Sequence, residues 1–138
     1  MKIPTIVTGM RKGELIKPYA EGLSPRDIER YYEKLLGRKV WMCKTTGDAR
    51  KTIDDLILKG VTQVEIGGSL PDMCVAKTAS YALQKGFVVK IPEEILVYPQ
   101  DRQINITEAI RDNMDNNNYN HQFIEGVHIY TPLEAKTT

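Results

Sequence analysis

The chain has 138 residues, which predicts one domain spanning 1–138. Nineteen Lys plus Arg against eighteen Asp plus Glu leave a net charge of +1, which argues against nucleic acid or a polybasic membrane anchor as partner. No run approaches the ~20 apolar residues of a membrane span. Met1–Val7 is too short and polar for a signal peptide, and two cysteines make no disulfide framework. The expectation is a soluble, reduced, cytoplasmic protein.

Ile3–Thr8 is β-branched and stops at Gly9, so it reads as a strand. Residues 9–23 carry Gly9, Gly13, Pro18 and Gly22 and read as loop. Ser24-Pro25 then starts a helix, with Ile28, Tyr31, Tyr32, Leu35 and Leu36 at helical spacing and Gly37 as the stop. Lys39–Lys44 is a short strand. A turn at Thr45-Thr46-Gly47-Asp48 leads into a helix with Ile53, Leu56 and Ile57 on one side, ended by Gly60. Val61–Gly67 is a strand, Asp72–Lys85 a helix ending at Gly86, and Phe87–Ile91 another strand. Ile95–Tyr98 reads as a short strand or a loop lying on the core. Thr107–Asn113 reads as a helix, Asp115–Asn118 as a mobile polar turn, and Phe123–Tyr130 as a last strand.

This βαβαβαβαβ alternation predicts an α/β fold: a three-layer α/β/α sandwich, Rossmann-like, with a mainly parallel sheet of about five strands. In such sheets ligands bind beyond the carboxyl ends of the strands. Attention therefore falls on three strand-to-helix handovers: Thr8–Arg11, Lys44–Asp48 and Gly67–Cys74.

The third handover carries chemistry. Cys74 falls in the first turn of its predicted helix, where unpaired N–H groups and the helix dipole favour a thiolate and offer an oxyanion hole. The competing reading is a small buried hydrophobe, the usual state of free Cys. Gly68 stands six residues earlier, and the sequence then runs Cys74-Val75, Thr78-Ala79, Ala82 and Gly86 into the strand Val88–Ile91. Small Ala79 and Ala82 suit a helix lying close on the sheet.

Together with Lys44 at the end of a strand, this spacing over residues 39–91 resembles the isochorismatase-like cysteine hydrolases. The resemblance implies Cys74 as nucleophile and Lys44 as its electrostatic partner. It implies an oxyanion hole from the backbone N–H groups of Cys74 and Leu70, and Gly68 and Leu70 against the substrate. The family's acid lies at the end of the first strand; here Thr8-Gly9 occupies that place. Glu14 or Glu21 from the following loop is the candidate replacement. The family's second strand, with the metal-site Asp and His of nicotinamidases, has no counterpart, so neither a metal nor a cofactor is expected.

Thr8 and Arg11, in a glycine-containing loop with two cations, are expected to bind a substrate phosphate or carboxylate, or else to form a solvated loop. His121 and His128 lack partners at zinc spacing and are not read as a metal site. Trp41 and Cys43 are expected to share a buried face, and a Cys43–Cys74 disulfide is not expected. Abundant tyrosines and the resemblance both suggest a homo-oligomer. Two functions remain open: hydrolysis of a small amide or related C–N bond through a Cys74 covalent intermediate, or an inactive relative serving in small-ligand binding or assembly.

Overall fold

The computed structural model describes residues 3–8, 30, 33–34, 37, 40–43, 45–69, 71–96, 104–114 and 119–133. Its strands are β1 (Thr5–Thr8), β2 (Trp41–Cys43), β3 (Gln63–Gly68), β4 (Val88–Pro92), β5 (Tyr119–Ile124) and β6 (Val127–Pro132). The helices among the described residues are α1 (Thr46–Leu58), α2 (Ala76–Gln84) and α3 (Ile106–Asp112). A π-helical turn (Pro71–Val75) leads into α2, and a 3-10 turn (Glu93–Ile95) follows β4. Most of the helix predicted after Ser24 lies outside the described residues; its end is at Gly37, whose N–H donates to the Glu33 carbonyl at 2.8 Å. The predicted turn at Asp115–Asn118 and the residues 97–103 also lie outside them.

The six strands form one sheet in the order β2-β1-β3-β4-β6-β5. The first four are parallel. β6 pairs antiparallel with β4, and β5 antiparallel with β6. The fold is therefore mixed α/β, and the expectation of about five mainly parallel strands is corrected to six in a mixed sheet. The cause is local. Glu125 and Gly126 both take positive φ, 50° and 79°, the conformation of the two-residue turn that matches strand twist. What reads as one last strand thus folds into a hairpin.

Side-chain alternation fixes which face is buried. Ile6, Cys43, Val64, Ile66, Val89, Ile91 and Tyr130 contribute to one core with Ala49, Ile53 and Leu56 of α1 and Ala76, Ala79, Ala82 and Leu83 of α2. Each fully buried Ile or Val there contributes about 1.5–3 kcal/mol of transfer free energy. α2 packs beside α1 and α3, and the alanines Ala79 and Ala82, fully buried, let it lie close to the sheet. Trp41 is a correction: it is 41% exposed on the edge strand, and only Cys43 of the pair is buried.

α1 starts where the sequence places it. The Asp48 N–H donates to Thr45 Oγ1 at 3.1 Å, a side-chain cap for a donor the helix leaves unpaired. Ile95 and Leu96 form no regular strand and lie on the core, as the loop alternative expects. Ile95 closes the 3-10 turn and is fully buried, and Leu96 makes a single parallel bridge to Gly68.

Candidate functional site

From β1 the chain moves to β2 on one side, then crosses to β3 on the other. The carboxyl ends of β1 and β3 are therefore the point where successive connections diverge, the usual place for a crevice in such sheets. Thr8 and Gly68 end these strands and are register partners. The approach is close: a Cβ on Gly68 would lie 2.1 Å from the Thr8 carbonyl oxygen, and Gly68 has φ +110°. The Ser69 N–H donates to that same carbonyl at 3.0 Å, so β3 stays tied to β1 as it leaves the sheet. On the opposite face, a Cβ on Gly67 would lie 2.6 Å from Ile95 Cδ1. Two consecutive glycines thus admit a neighbouring strand and a covering side chain at one level.

Thr8 is fully buried, and its Oγ1 has no hydrogen-bond partner among the described residues. Alternation places Thr8 on the same face as Ile6, the face covered by α1 and α2. A buried hydroxyl left without a hydrogen bond costs about 1–3 kcal/mol, so its retention at a strand end calls for an explanation. Thr78, also fully buried, has a second such hydroxyl in α2. A helical threonine ordinarily bonds back to the carbonyl four residues earlier; that residue is Cys74, and Thr78 Oγ1 has no partner among the described residues.

Cys74 is a free, half-buried thiol. It stands in the π-helical turn ahead of α2 rather than in the first turn of an α-helix. Such turns are rare and occur often at functional sites, because the extra residue displaces the ladder of backbone bonds. Pro71 opens the turn, a position where its missing N–H costs nothing. Asp72 has one buried carboxylate oxygen in the same turn, but residues two apart on a helical turn do not face each other.

Cys43 behaves differently. It is buried, its Sγ lies 3.6 Å from Thr52 Oγ1, and burial pushes its thiol above the ordinary value. Its thiol is therefore suited to packing and not to attack.

Of the predicted site residues, Thr8 and Gly68 are brought together and Cys74 follows six residues after Gly68. Lys44, Arg11, Leu70, Glu14 and Glu21 lie outside the described residues. Thr78 was legible as the residue one helical turn after Cys74, but its unpaired hydroxyl was not. The sequence reading also missed a hydrogen-bonded pair formed by His121 and His128. Their proximity depends on the hairpin register, for which Glu125-Gly126 was the available signal. Among the described residues no three His, Cys, Asp or Glu side chains converge as metal ligands. No described helix is long and apolar enough to cross a membrane. No family model, curated protein or solved structure matches this chain.

Proposed function

We propose that the chain is a small cysteine hydrolase with an isochorismatase-like three-layer α/β/α arrangement, acting on a small amide or related C–N bond. The observation that carries this reading is the buried, unpartnered Thr8 hydroxyl at the β1–β3 switch point. It shares its face of the sheet with the helical run that carries Cys74. A buried, unpaired hydroxyl there finds its partner in a polar group of a bound substrate.

In this mechanism Cys74 Sγ attacks the carbonyl carbon, the C–N bond breaks, and water releases the acyl group from sulfur. The backbone N–H groups of Cys74 and Leu70 hold the oxyanion. Lys44 offsets the negative charge, Arg11 and Gly68 line the substrate, and Glu14 or Glu21 takes the thiol proton and returns it to the leaving nitrogen. The working form is a cytoplasmic homo-oligomer that requires no cofactor.

A second reading rests on Thr8 itself. A hydroxyl stands at the strand end where a hydrolase of this type carries its acid, and this favours a ligand-binding or assembly protein. Alkylation separates the two. For a hydrolase, iodoacetamide at pH 6 modifies Cys74 far faster than a free thiol, and Cys74→Ala abolishes the fast phase. Labelling of Cys74 no faster than a model thiol removes the hydrolase reading. Thr8→Val, which keeps shape and deletes the hydroxyl, then tests the binding reading through the affinity of any small amide or carboxylate that protects Cys74.

A further inference from the structure

Away from that crevice, five side chains from four elements form one polar chain. His128 Nε2 lies 3.0 Å from Glu93 Oε2. His128 Nδ1 lies 3.0 Å from His121 Nε2. Thr107 Oγ1, at the start of α3, lies 3.4 Å from His121 Nε2 and 2.9 Å from the Tyr130 hydroxyl. Register puts these groups on one face, with His121 opposite Tyr130 and Phe123 opposite His128.

The imidazole geometry is restrictive. The ring centres are 5.3 Å apart and the planes differ by 17°. That separation is about the 3.0 Å nitrogen distance plus one ring radius on each side, so the rings meet edge to edge with both nitrogens in line. A metal ion held in line between them needs about twice the ~2 Å metal–nitrogen distance. One proton fits this gap and an ion does not.

Donor roles follow. The Glu93 carboxylate only accepts, so His128 Nε2 carries a hydrogen. In neutral His128, Nδ1 is then an acceptor, and His121 Nε2–H donates to it. A first added proton makes one imidazolium of the pair and leaves both bonds in place, one ring still donating to the other across the gap. The second has one nitrogen left, the one that already accepts that N–H. Protonating it sets two N–H groups and two positive charges face to face.

We propose that Glu93–His128–His121 is an acid-triggered latch on the edge of the sheet, holding with zero or one added proton and opening with the second to free β5 from β6. β5 is the edge strand, with β6 as its neighbour in the sheet, so its backbone bonds are the ones this loss exposes. The titratable groups turned toward the pair are Glu93 from the 3-10 turn, Tyr130 from β6 and Tyr119 from β5. β4 presents Val89 and Ile91, and α3 presents Thr107. Burial first, and the His128 charge second, hold His121 below the ordinary histidine value. The unfolded chain therefore takes up that proton more readily, and stability falls as pH drops below about 6.5.

The test is amide exchange of the whole chain from pH 7.5 to 4.5, corrected for intrinsic rate, with nitrogen-15 spectra of both imidazoles. At neutral pH both rings are expected as Nε2–H tautomers. Protection of 121–124 should fall at least tenfold across the range, while α2 amides 80–83 hold. His121→Phe keeps the ring stacked on Tyr130 and should leave protection of 121–124 insensitive to pH. Glu93→Gln should move the opening to lower pH. If the variants do not fold, the wild-type spectra still decide. An Nδ1–H tautomer for His128, independent titration of the two rings, or pH-insensitive protection of β5 overturns the latch.

Discussion

Gly68→Ala tests the geometry on which the crevice rests. Its new Cβ would stand 2.1 Å from the Thr8 oxygen and 2.8 Å from the Thr8 nitrogen. Both are backbone atoms of a parallel neighbour, so no rotamer change relieves the contact. The φ of +110° is itself closed to alanine. Backbone strain of about 1–3 kcal/mol and an overpacking cost of about 1–3 kcal/mol together remove a large part of an ordinary domain's ~5–15 kcal/mol. Gly67→Ala makes the matching control. Its Cβ would meet Ile95 Cδ1 and Cγ1, both at 2.6 Å, and the Ile95 carbonyl oxygen at 2.9 Å. Most of that obstacle is side chain, which Ile95→Ala removes. In urea unfolding, Ile95→Ala alone should cost about 2–5 kcal/mol, and the Gly67→Ala/Ile95→Ala double should be more stable than the sum of the singles by about 1–2 kcal/mol. The same Ile95 change should do nothing for Gly68→Ala. A Gly68→Ala protein within about 0.5 kcal/mol of the parent, the range of an ordinary surface substitution, would mean that β1 and β3 do not approach as described.

Three further outcomes are expected. Tyr130, fully buried and hydrogen-bonded to Thr107, is pushed up to about 12, chiefly by burial. In an alkaline absorbance titration one of the seven tyrosines should therefore ionise late, and Tyr130→Phe should delete that phase. Since the unfolded tyrosine ionises near 10, this contribution to stability is complete below pH 10 and fades as pH rises toward 12. Thr45→Ala removes the acceptor for the Asp48 N–H and should cost about 1 kcal/mol in thermal or urea unfolding, with Thr45→Ser close to neutral. Cys43, buried and with a raised thiol, should resist a neutral-pH disulfide reagent until urea unfolds the chain, leaving Cys74 as the one titratable thiol in the native protein. Two fast thiols would show that the β2–α1 packing around Cys43 is open.

The parallel half of the fold was legible because its signals are local and agree with one another. β-branched runs, a threonine cap before Asp48, and glycines at 60 and 86 all mark boundaries that the structure keeps, and four strands with two intervening helices follow. Trp41 was misplaced because alternation assigns a face but not a cover. β2 is an edge strand, and a residue there is buried only as far as something lies over it. The last strand was misread for a different reason. Residues 119–132 are continuously strand-like on either side of a two-residue turn, and the turn uses glutamate, not Asn or Asp, at its first positive-φ position. Nothing in a hydrophobic pattern marks such a reversal.

The same reversal decides what can be known of chemistry from the chain alone. The glycines at 67 and 68 and the threonine at 8 come together through parallel crossovers, whose handedness and neighbours follow general rules. Their convergence could be anticipated without coordinates. His121 and His128 are seven residues apart, a spacing that is unremarkable on a helix or a single strand. Only a hairpin centred on 125–126 brings the two rings edge to edge, and a shift of one residue in its register would send His121 to the other face. The backbone bond from the Glu93 N–H to the Gly126 carbonyl at 2.9 Å holds the hairpin tip against the 3-10 turn. It thereby brings the carboxylate to His128. A polar cluster set by one turn and one tertiary backbone bond is invisible to periodicity, and its proton count follows only once donors and acceptors are assigned in space.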